Sequence, residues 1–242
     1  MWLAAALALP AANPLEAQLT THLSPKTEAA YNEYIKHAES GMNWRAHLEV
    51  PADGAISFQP GSGGGTMEIS GGIIHDWIAA AIAPGVTMEQ VLEVFQDYGA
   101  YKTRFFPNVQ DSKLLSRDGN HWHVYMRLYK KKILSVLLDT EHDIEYRPLG
   151  GERWAIVSPA VKIVEVEDGK ELPPGVGHGF LWRLNSYWLL EPRAGGIYME
   201  CRAISMSRDI PPGLGWAVKP MLSTVPKESL GETLRDTLRA LR

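Results

Sequence analysis

The chain has 242 residues, 45% of them hydrophobic and 21% charged, so it can bury the core of one large domain. Its formal net charge is −4 and its longest basic run, residues 130–132, is short, which argues against nucleic acid as a partner. Cys201 is the single cysteine, so an intramolecular disulfide and a cysteine-based metal cluster are excluded.

The first dozen residues are small and apolar, as in the hydrophobic part of a secretory signal. Residues 1–17 are therefore predicted to be a signal segment, and the protein to be secreted or periplasmic. The alternative is an apolar N-terminus on a cytoplasmic protein. The stretch is too short to span a bilayer as a helix, so no transmembrane segment is predicted.

Residues 18–65 read as a helical arm followed by a linker. Ser24 and Pro25 are typical of a helix N-cap and first turn, and the apolar spacing after them predicts a helix to about Met42. We expect this helix to be a lid or a packing arm. The glycine-rich stretch Gly61–Gly65 predicts a flexible joint, and it lacks the Lys-Ser/Thr of a phosphate-binding loop.

The middle of the chain predicts strands. Residues 72–82 form one candidate, followed by a helix that begins with a capping box at Thr87 and Gln90. From Val109 the polar and apolar residues alternate, and the connections are too short for helical crossovers. This pattern predicts an antiparallel meander, about seven strands in all, with the further strands at 111–115, 121–129, 133–146, 154–166, 180–190 and 198–207.

The C-terminal segment predicts the longest amphipathic helix. After a turn at Pro211 and Pro212, one apolar stripe runs to the end of the chain, formed by Leu230, Leu234, Leu238 and Leu241. Such a stripe needs a surface to cover, and the predicted sheet supplies it. The sequence therefore predicts an α+β fold in which a curved sheet packs around a C-terminal helix.

This order of elements resembles the START-like, or helix-grip, superfamily, which includes lipid-transfer domains, plant proteins of the birch-pollen-allergen type and bacterial polyketide cyclase-like proteins. The resemblance covers residues 66–242. Its most individual strings are Ile74-His75-Asp76-Trp77 and residues 205–211, which look like those of bacterial START-like proteins. The resemblance implies a ligand-binding domain with a pocket, and no specific reaction.

A curved sheet and a straight helix leave space between them, which a ligand or large side chains can fill. Small residues at Cys201, Ala203 and Ser205 would let the helix approach. Each large residue can also be ordinary core. The expected ligand contacts are Trp122, Val124, Met126, Leu138, Trp182, Leu184, Trp188 and Trp216.

The opposite strand faces are unusually polar. Arg183 and Tyr187 lie on one of them, and Glu200 lies on its neighbour. If these faces pointed into the cavity, the three side chains would orient a ligand's polar group. A one-residue bulge is enough to reverse the facing of a strand, so both orientations stay open.

No catalytic motif stands out, and no catalytic residue, metal or other cofactor is predicted. His121, His123 and His142 could reach one metal, but histidines on a hairpin surface are far commoner. The favoured function is binding of a lipid or other hydrophobic small molecule. The alternatives are a cyclase- or hydrolase-type enzyme, with His123, His142 or Glu200 as general base, and an interaction module with a solid core. The sequence does not indicate the oligomeric state.

Overall fold

The structure is a computed structural model that describes residues 20–131, 135–210, 213 and 215–242. The predicted signal segment, residues 1–17, lies outside the described residues, as do Pro211 and Pro212. In chain order the elements are β1 Thr21–His22, α1 Pro25–Ser40, β2 Ser57–Pro60, β3 Thr66–Ile69, β4 Gly72–Pro84, α2 Met88–Gln96, α3 Tyr101–Arg104, β5 Val109–Asp118, β6 His121–Lys131, β7 Ser135–Gly150, β8 Arg153–Glu167, β9 Lys170–Glu171, β10 Val176–Gly177, β11 Arg183–Arg193, β12 Gly196–Arg208 and α4 Gly215–Ala240.

One antiparallel sheet dominates the fold. Its strand order is β2-β4-β12-β11-β8-β7-β6-β5, with β3 also paired to β4 and β9 to β8. The long helix α4 packs against β4 and β12. We call the face that carries α4 the inner face of the sheet and the opposite face the outer face. This is the helix-grip arrangement, and the α+β prediction is confirmed.

The described part of the sheet contains ten strands, and the predicted number of about seven is wrong. The seven predicted strands correspond to β4, β5, β6, β7, β8, β11 and β12. The additional strands β2, β3 and β9 have four, four and two residues. Strands this short do not show the alternation that identifies a strand in sequence.

The leucine stripe of α4 forms the centre of the inner core. Leu230 and Leu234 are buried against Ala79 and Ala81 of β4, and Leu238 and Leu241 pack on the same cluster. The alanines leave room for the helix to approach the strand closely. At the start of α2, the predicted capping box is present, since Gln90 N donates to Thr87 Oγ1 at 3.3 Å and Thr87 N to Gln90 Oε1 at 2.9 Å.

The glycine-rich stretch, predicted as a flexible joint, packs tightly against β4. A Cβ atom at Gly61 would lie 2.2 Å from the carboxylate of Asp76, and one at Gly65 would lie 2.6 Å from the ring of Trp77. β2 precedes this stretch and β3 follows it, and both pair with β4. The glycines therefore allow a close approach to the sheet, and β2, which precedes them, belongs to the same sheet as the predicted ligand-binding domain.

The N-terminal arm covers the outer face of the sheet. Helix α1 begins with the predicted N-cap, in which Ser24 Oγ accepts a hydrogen bond from Thr27 N at 3.1 Å. Tyr31 of α1 is 2% exposed and packs with Ile204 and Met206 of β12. Because α1 lies on the face opposite to α4, it is a packing arm and does not close over the inner face.

None of the helices in the described part of the chain combines the length and the apolar character that crossing a membrane requires.

Candidate ligand-binding cavity

A cavity of about 350 Å³ lies between the inner face of the sheet and α4. Its walls are mainly apolar. Phe95 of α2 and Phe105 after α3 line one side, and Val225 and Leu230 of α4 form part of its roof. The space is therefore bounded by residues of the sheet, of α2 and of α4.

Four of the eight predicted contact residues line this cavity, namely Met126, Leu138, Leu184 and Trp188. Trp122 and Val124 point to the same side but lie in the packed core, where the ring of Trp122 is 5.8 Å from that of Tyr98. These two residues therefore belong to the packed core beside the cavity.

Trp182 and Trp216 lie away from the cavity. Trp182 precedes β11 by one residue, so the alternation of the strand does not fix its direction, and it packs with Tyr31 and Tyr187 on the outer face. Trp216 lies in the first turn of α4 and is 68% exposed. Contrary to the prediction, these two residues do not line the cavity.

The predicted polar orienters Arg183, Tyr187 and Glu200 lie on the outer face, so the alternative strand facing does not occur here. Arg183 pairs with Glu28 of α1, and the Tyr187 hydroxyl donates to Glu39 Oε1 at 2.8 Å. Glu200 Oε2 accepts hydrogen bonds from the backbone N–H groups of His47 and Leu48, at 2.8 and 3.1 Å. These strand faces are polar because they hold the N-terminal residues.

A row of polar side chains crosses the floor of the cavity. It contains His142 of β7, Ser158 of β8, Ser186 of β11 and Ser205 of β12, and all four line the cavity. Ser158 and Ser186 face each other in register, and Ser158 Oγ lies 3.4 Å from His142 Nδ1. We call this row the serine–histidine belt. It places hydrogen-bonding groups in the middle of an apolar surface.

Sequence reasoning singled out His142 but not the belt. Ser186 has the same strand facing as Leu184 and Trp188, and Ser205 the same as Cys201. This shared facing along each strand was the signal in the sequence that the serines point into the cavity. Serine on a strand is common at the surface, so the signal becomes specific only when the pairing of the strands is known.

His142 and Cys201 are both buried in the cavity wall. Burial lowers the pKa of His142 to about 4, so its imidazole is neutral at neutral pH. Burial raises the pKa of the Cys201 thiol well above its usual range, which keeps the sulfur protonated and unreactive. Cys201 is thus the small buried side chain that its place in an alternating strand predicts.

Charged residues lie at the edge of the cavity. Lys130 of β6 forms an ion pair with Glu232 of α4, which ties the sheet edge to the helix. Asp236 accepts a hydrogen bond from Asn108 Nδ2 at 3.4 Å and pairs with Arg239 Nη2 at 2.8 Å. Charge at this edge is therefore balanced within the protein.

A loop between β10 and β11 completes the wall. Glu165 is 5% exposed, and its carboxylate accepts hydrogen bonds from the backbone N–H groups of His178 at 2.8 Å and Gly179 at 2.9 Å. These contacts place Phe180 and Leu181 against the cavity. The oxygens of Glu165 also lie near Glu167 and His178, but their hydrogen bonds to the backbone identify Glu165 as a loop anchor.

The three histidines considered as metal ligands do not converge. His123 faces outward, with its Nδ1 2.6 Å from Asp143 Oδ1 and its Nε2 3.0 Å from Glu141 Oε2. His142 faces the cavity on the other side of the sheet. A shared metal ion would have to contact both faces, which the strand geometry forbids.

No protein-family model and no curated protein matches the chain. Solved structures do resemble it. A STAR-related lipid transfer protein from Xanthomonas axonopodis is 19% identical with a TM-score of 0.49, covering 74% of this chain and 97% of that fragment. The Zhui aromatase/cyclase from Streptomyces sp. R1128 is 12% identical with a TM-score of 0.47, covering 70% of this chain and 93% of that one. Human STARD10 is 11% identical with a TM-score of 0.47, covering 91% and 81%. The helix-grip assignment rests on the strand order and on α4, described above.

Proposed function

We propose that the protein binds a lipid or another hydrophobic small molecule in the cavity between the sheet and α4. The observation that carries this proposal is the cavity of about 350 Å³ between the sheet and α4, whose walls are mainly apolar. An apolar surface that faces water is unfavourable, and a hydrophobic ligand that covers it removes that cost. Ligand sites commonly measure about 300–1,000 Å³.

Burial of apolar surface would supply the affinity, at about 25 cal/mol per Å² removed from water. The side chains of Met126, Leu138 and Trp188 offer that surface on the sheet, and Leu230 offers it on the helix. The belt on the floor would then fix the ligand's orientation through hydrogen bonds.

Native mass spectrometry of the purified full chain tests the proposal. We expect a mass increment from a co-purifying amphiphile, and solvent extraction should release that molecule for identification. The neutral dye Nile red should also enter the emptied cavity and gain fluorescence. A protein that carries no increment and takes up no dye would refute ligand binding.

The catalytic alternative has weaker support. Of the three candidate general bases, His142 lines the cavity, whereas His123 and Glu200 lie on the outer face. A general base works best with a pKa near the working pH, and burial lowers the pKa of His142 to about 4. A neutral imidazole with so low a pKa is better suited to hydrogen bonding than to proton abstraction.

A further inference from the structure

The polar groups of the cavity indicate what kind of molecule it accepts. We propose that the ligand is an uncharged amphiphile whose polar group is a hydroxyl or a carbonyl, held at the serine–histidine belt. This inference rests on the proposed function, because it requires that the cavity be a ligand site. Four observations carry it, and they concern the belt hydroxyls, His142, the charged edge and the position of the belt.

Two hydroxyls of the belt are available to a ligand. Ser186 and Ser205 line the cavity, and neither side chain is hydrogen-bonded to any residue within the described ranges. A serine hydroxyl donates one hydrogen bond and can accept two. A ligand that covers these hydroxyls removes them from water, so a ligand that carries a hydrogen-bonding partner for them is favoured.

His142 presents no charge at neutral pH, because burial lowers the pKa of its imidazole to about 4. The Thr140 hydroxyl donates to the carbonyl oxygen of Met126 at 2.9 Å, so its oxygen is left to accept from His142 Nε2 at 3.2 Å. In the neutral ring the other nitrogen, Nδ1, is then an acceptor, and it lies 3.4 Å from Ser158 Oγ. A neutral ring in this tautomer cannot balance a carboxylate or a phosphate.

The charged groups at the cavity edge are paired with each other. Lys130 pairs with Glu232, and Asp236 pairs with Arg239. Among the lining residues that the structure describes, Lys130 is the one cation. An anionic ligand group would therefore be buried without a counter-charge, and a cationic group would find both carboxylates engaged. Burying an unpaired charge is far costlier than burying a hydrogen-bonded hydroxyl.

The belt lies on the central strands of the sheet, away from the charged edge of the cavity. Ser158 and Ser186 belong to β8 and β11, which are the central strands of the sheet order, whereas Lys130 lies on β6 near one edge. A ligand that reaches the belt must place its polar group among apolar walls. The volume of about 350 Å³ is at the lower end of the range for ligand sites, which favours a compact or single-chain molecule.

Three probes with the same hydrocarbon chain test the proposal on the full-length protein: tetradecanol, tetradecanoate and tetradecyltrimethylammonium. Each is titrated near neutral pH, below its micelle concentration, against protein loaded with Nile red. We expect tetradecanol to displace the dye at a concentration at least about tenfold lower than either charged probe. If tetradecanoate or the ammonium probe displaces the dye as well as tetradecanol does, the inference is overturned while ligand binding stands.

Variants of the belt separate headgroup recognition from simple apolar binding. Ser186→Ala and Ser205→Ala should each weaken tetradecanol binding about three- to tenfold, the effect of one neutral hydrogen bond. Ser116→Ala, at an exposed position on β5, is the matched control and should bind as the unaltered protein does. If the double belt variant binds tetradecanol like this control, the belt is not the recognition site. If no probe and no dye enters, the proposed function itself is refuted.

Discussion

Arg202 and Asp76 form two parallel hydrogen bonds, one from Nε to Oδ1 at 2.9 Å and one from Nη2 to Oδ2 at 2.6 Å. Asp76 is 1% exposed, and its Oδ2 also accepts hydrogen bonds from the Tyr34 hydroxyl at 2.7 Å and from Ser62 N at 3.2 Å. This one carboxylate therefore connects β12, β4, helix α1 and the glycine-rich stretch on the outer face.

Removal of the arginine should destabilise the protein strongly. Arg202→Leu leaves a buried carboxylate without its counter-charge, and breaking a buried pair in this way costs about 3–5 kcal/mol. Urea unfolding measures the change. The control is Arg147→Leu, which breaks the more exposed pair with Glu145 and should cost less than about 1 kcal/mol. Equal losses for the two variants would contradict this interpretation.

Tyr31 should report on the docking of α1. Its hydroxyl lies 3.0 Å from Asn185 Oδ1 and 2.9 Å from the carbonyl oxygen of Ile204. Tyr31→Phe leaves these buried acceptors with one donor fewer, so we expect a loss of about 1–3 kcal/mol in the free energy of unfolding. Tyr129→Phe, whose hydroxyl is 3.4 Å from Ser135 Oγ at an exposed position, should change it by a few tenths at most. If Tyr31→Phe leaves the free energy of unfolding unchanged, packing alone holds the arm on the sheet.

Two buried histidines should make the protein less stable in mild acid. Burial lowers the pKa of both His75 and His142 from 6.5 to about 4. Between these values the unfolded chain binds more protons than the folded one, so stability is complete above 6.5 and is lost as the pH falls towards 4. Each histidine can contribute up to roughly 1.4 kcal/mol per pH unit.

Unfolding free energies measured from pH 7 to pH 4 check this. His142→Gln should flatten the decline. His123→Gln should steepen it, because the hydrogen bond to Asp143 raises the pKa of His123, so His123 stabilises the fold at low pH. If the free energy of unfolding falls with pH in His142→Gln as it does in the unaltered protein, His142 takes up its proton as readily in the folded state as in the unfolded state.

Filling the cavity should block ligand uptake without unfolding the protein. Leu184 lines the cavity, and Leu184→Trp would occupy part of it at a cost of about 1–3 kcal/mol in stability. We expect the affinity for Nile red to fall at least about tenfold. Val161→Trp, at a position that is 53% exposed, introduces the same ring outside the cavity and should leave the affinity unchanged. Equal affinities in both variants would place the dye elsewhere.

The sequence predicts the parts of the fold that repeat a pattern over many residues. The seven long strands and the leucine stripe from Leu230 to Leu241 are of this kind, and together they define the helix-grip arrangement. The short strands β2 and β3 escape prediction because their pairing depends on the close approach of Gly61 and Gly65 to β4, which is a tertiary contact.

The candidate site is predictable only where strand parity applies. Met126, Leu138, Leu184 and Trp188 follow from parity within their strands. Trp182 lies one residue outside β11, so parity does not fix its direction. The belt depends on which strands are neighbours and in what register, and alternation within single strands contains neither fact. The outward polar residues Arg183 and Glu200 have their partners in the N-terminal part of the chain, and the sequence does not show where that part docks.

The docking of the N-terminal arm on the outer face of the sheet has a consequence for biosynthesis. Tyr31 contacts Ile204 across 173 positions of sequence, and β1 pairs with β10. At about 5–20 residues per second, a ribosome needs roughly 9–35 s to make the intervening chain. During that interval β12 is absent, so the apolar side chains that the arm packs against it stay accessible to chaperones, and the outer face of the sheet is covered only after β12 has been made.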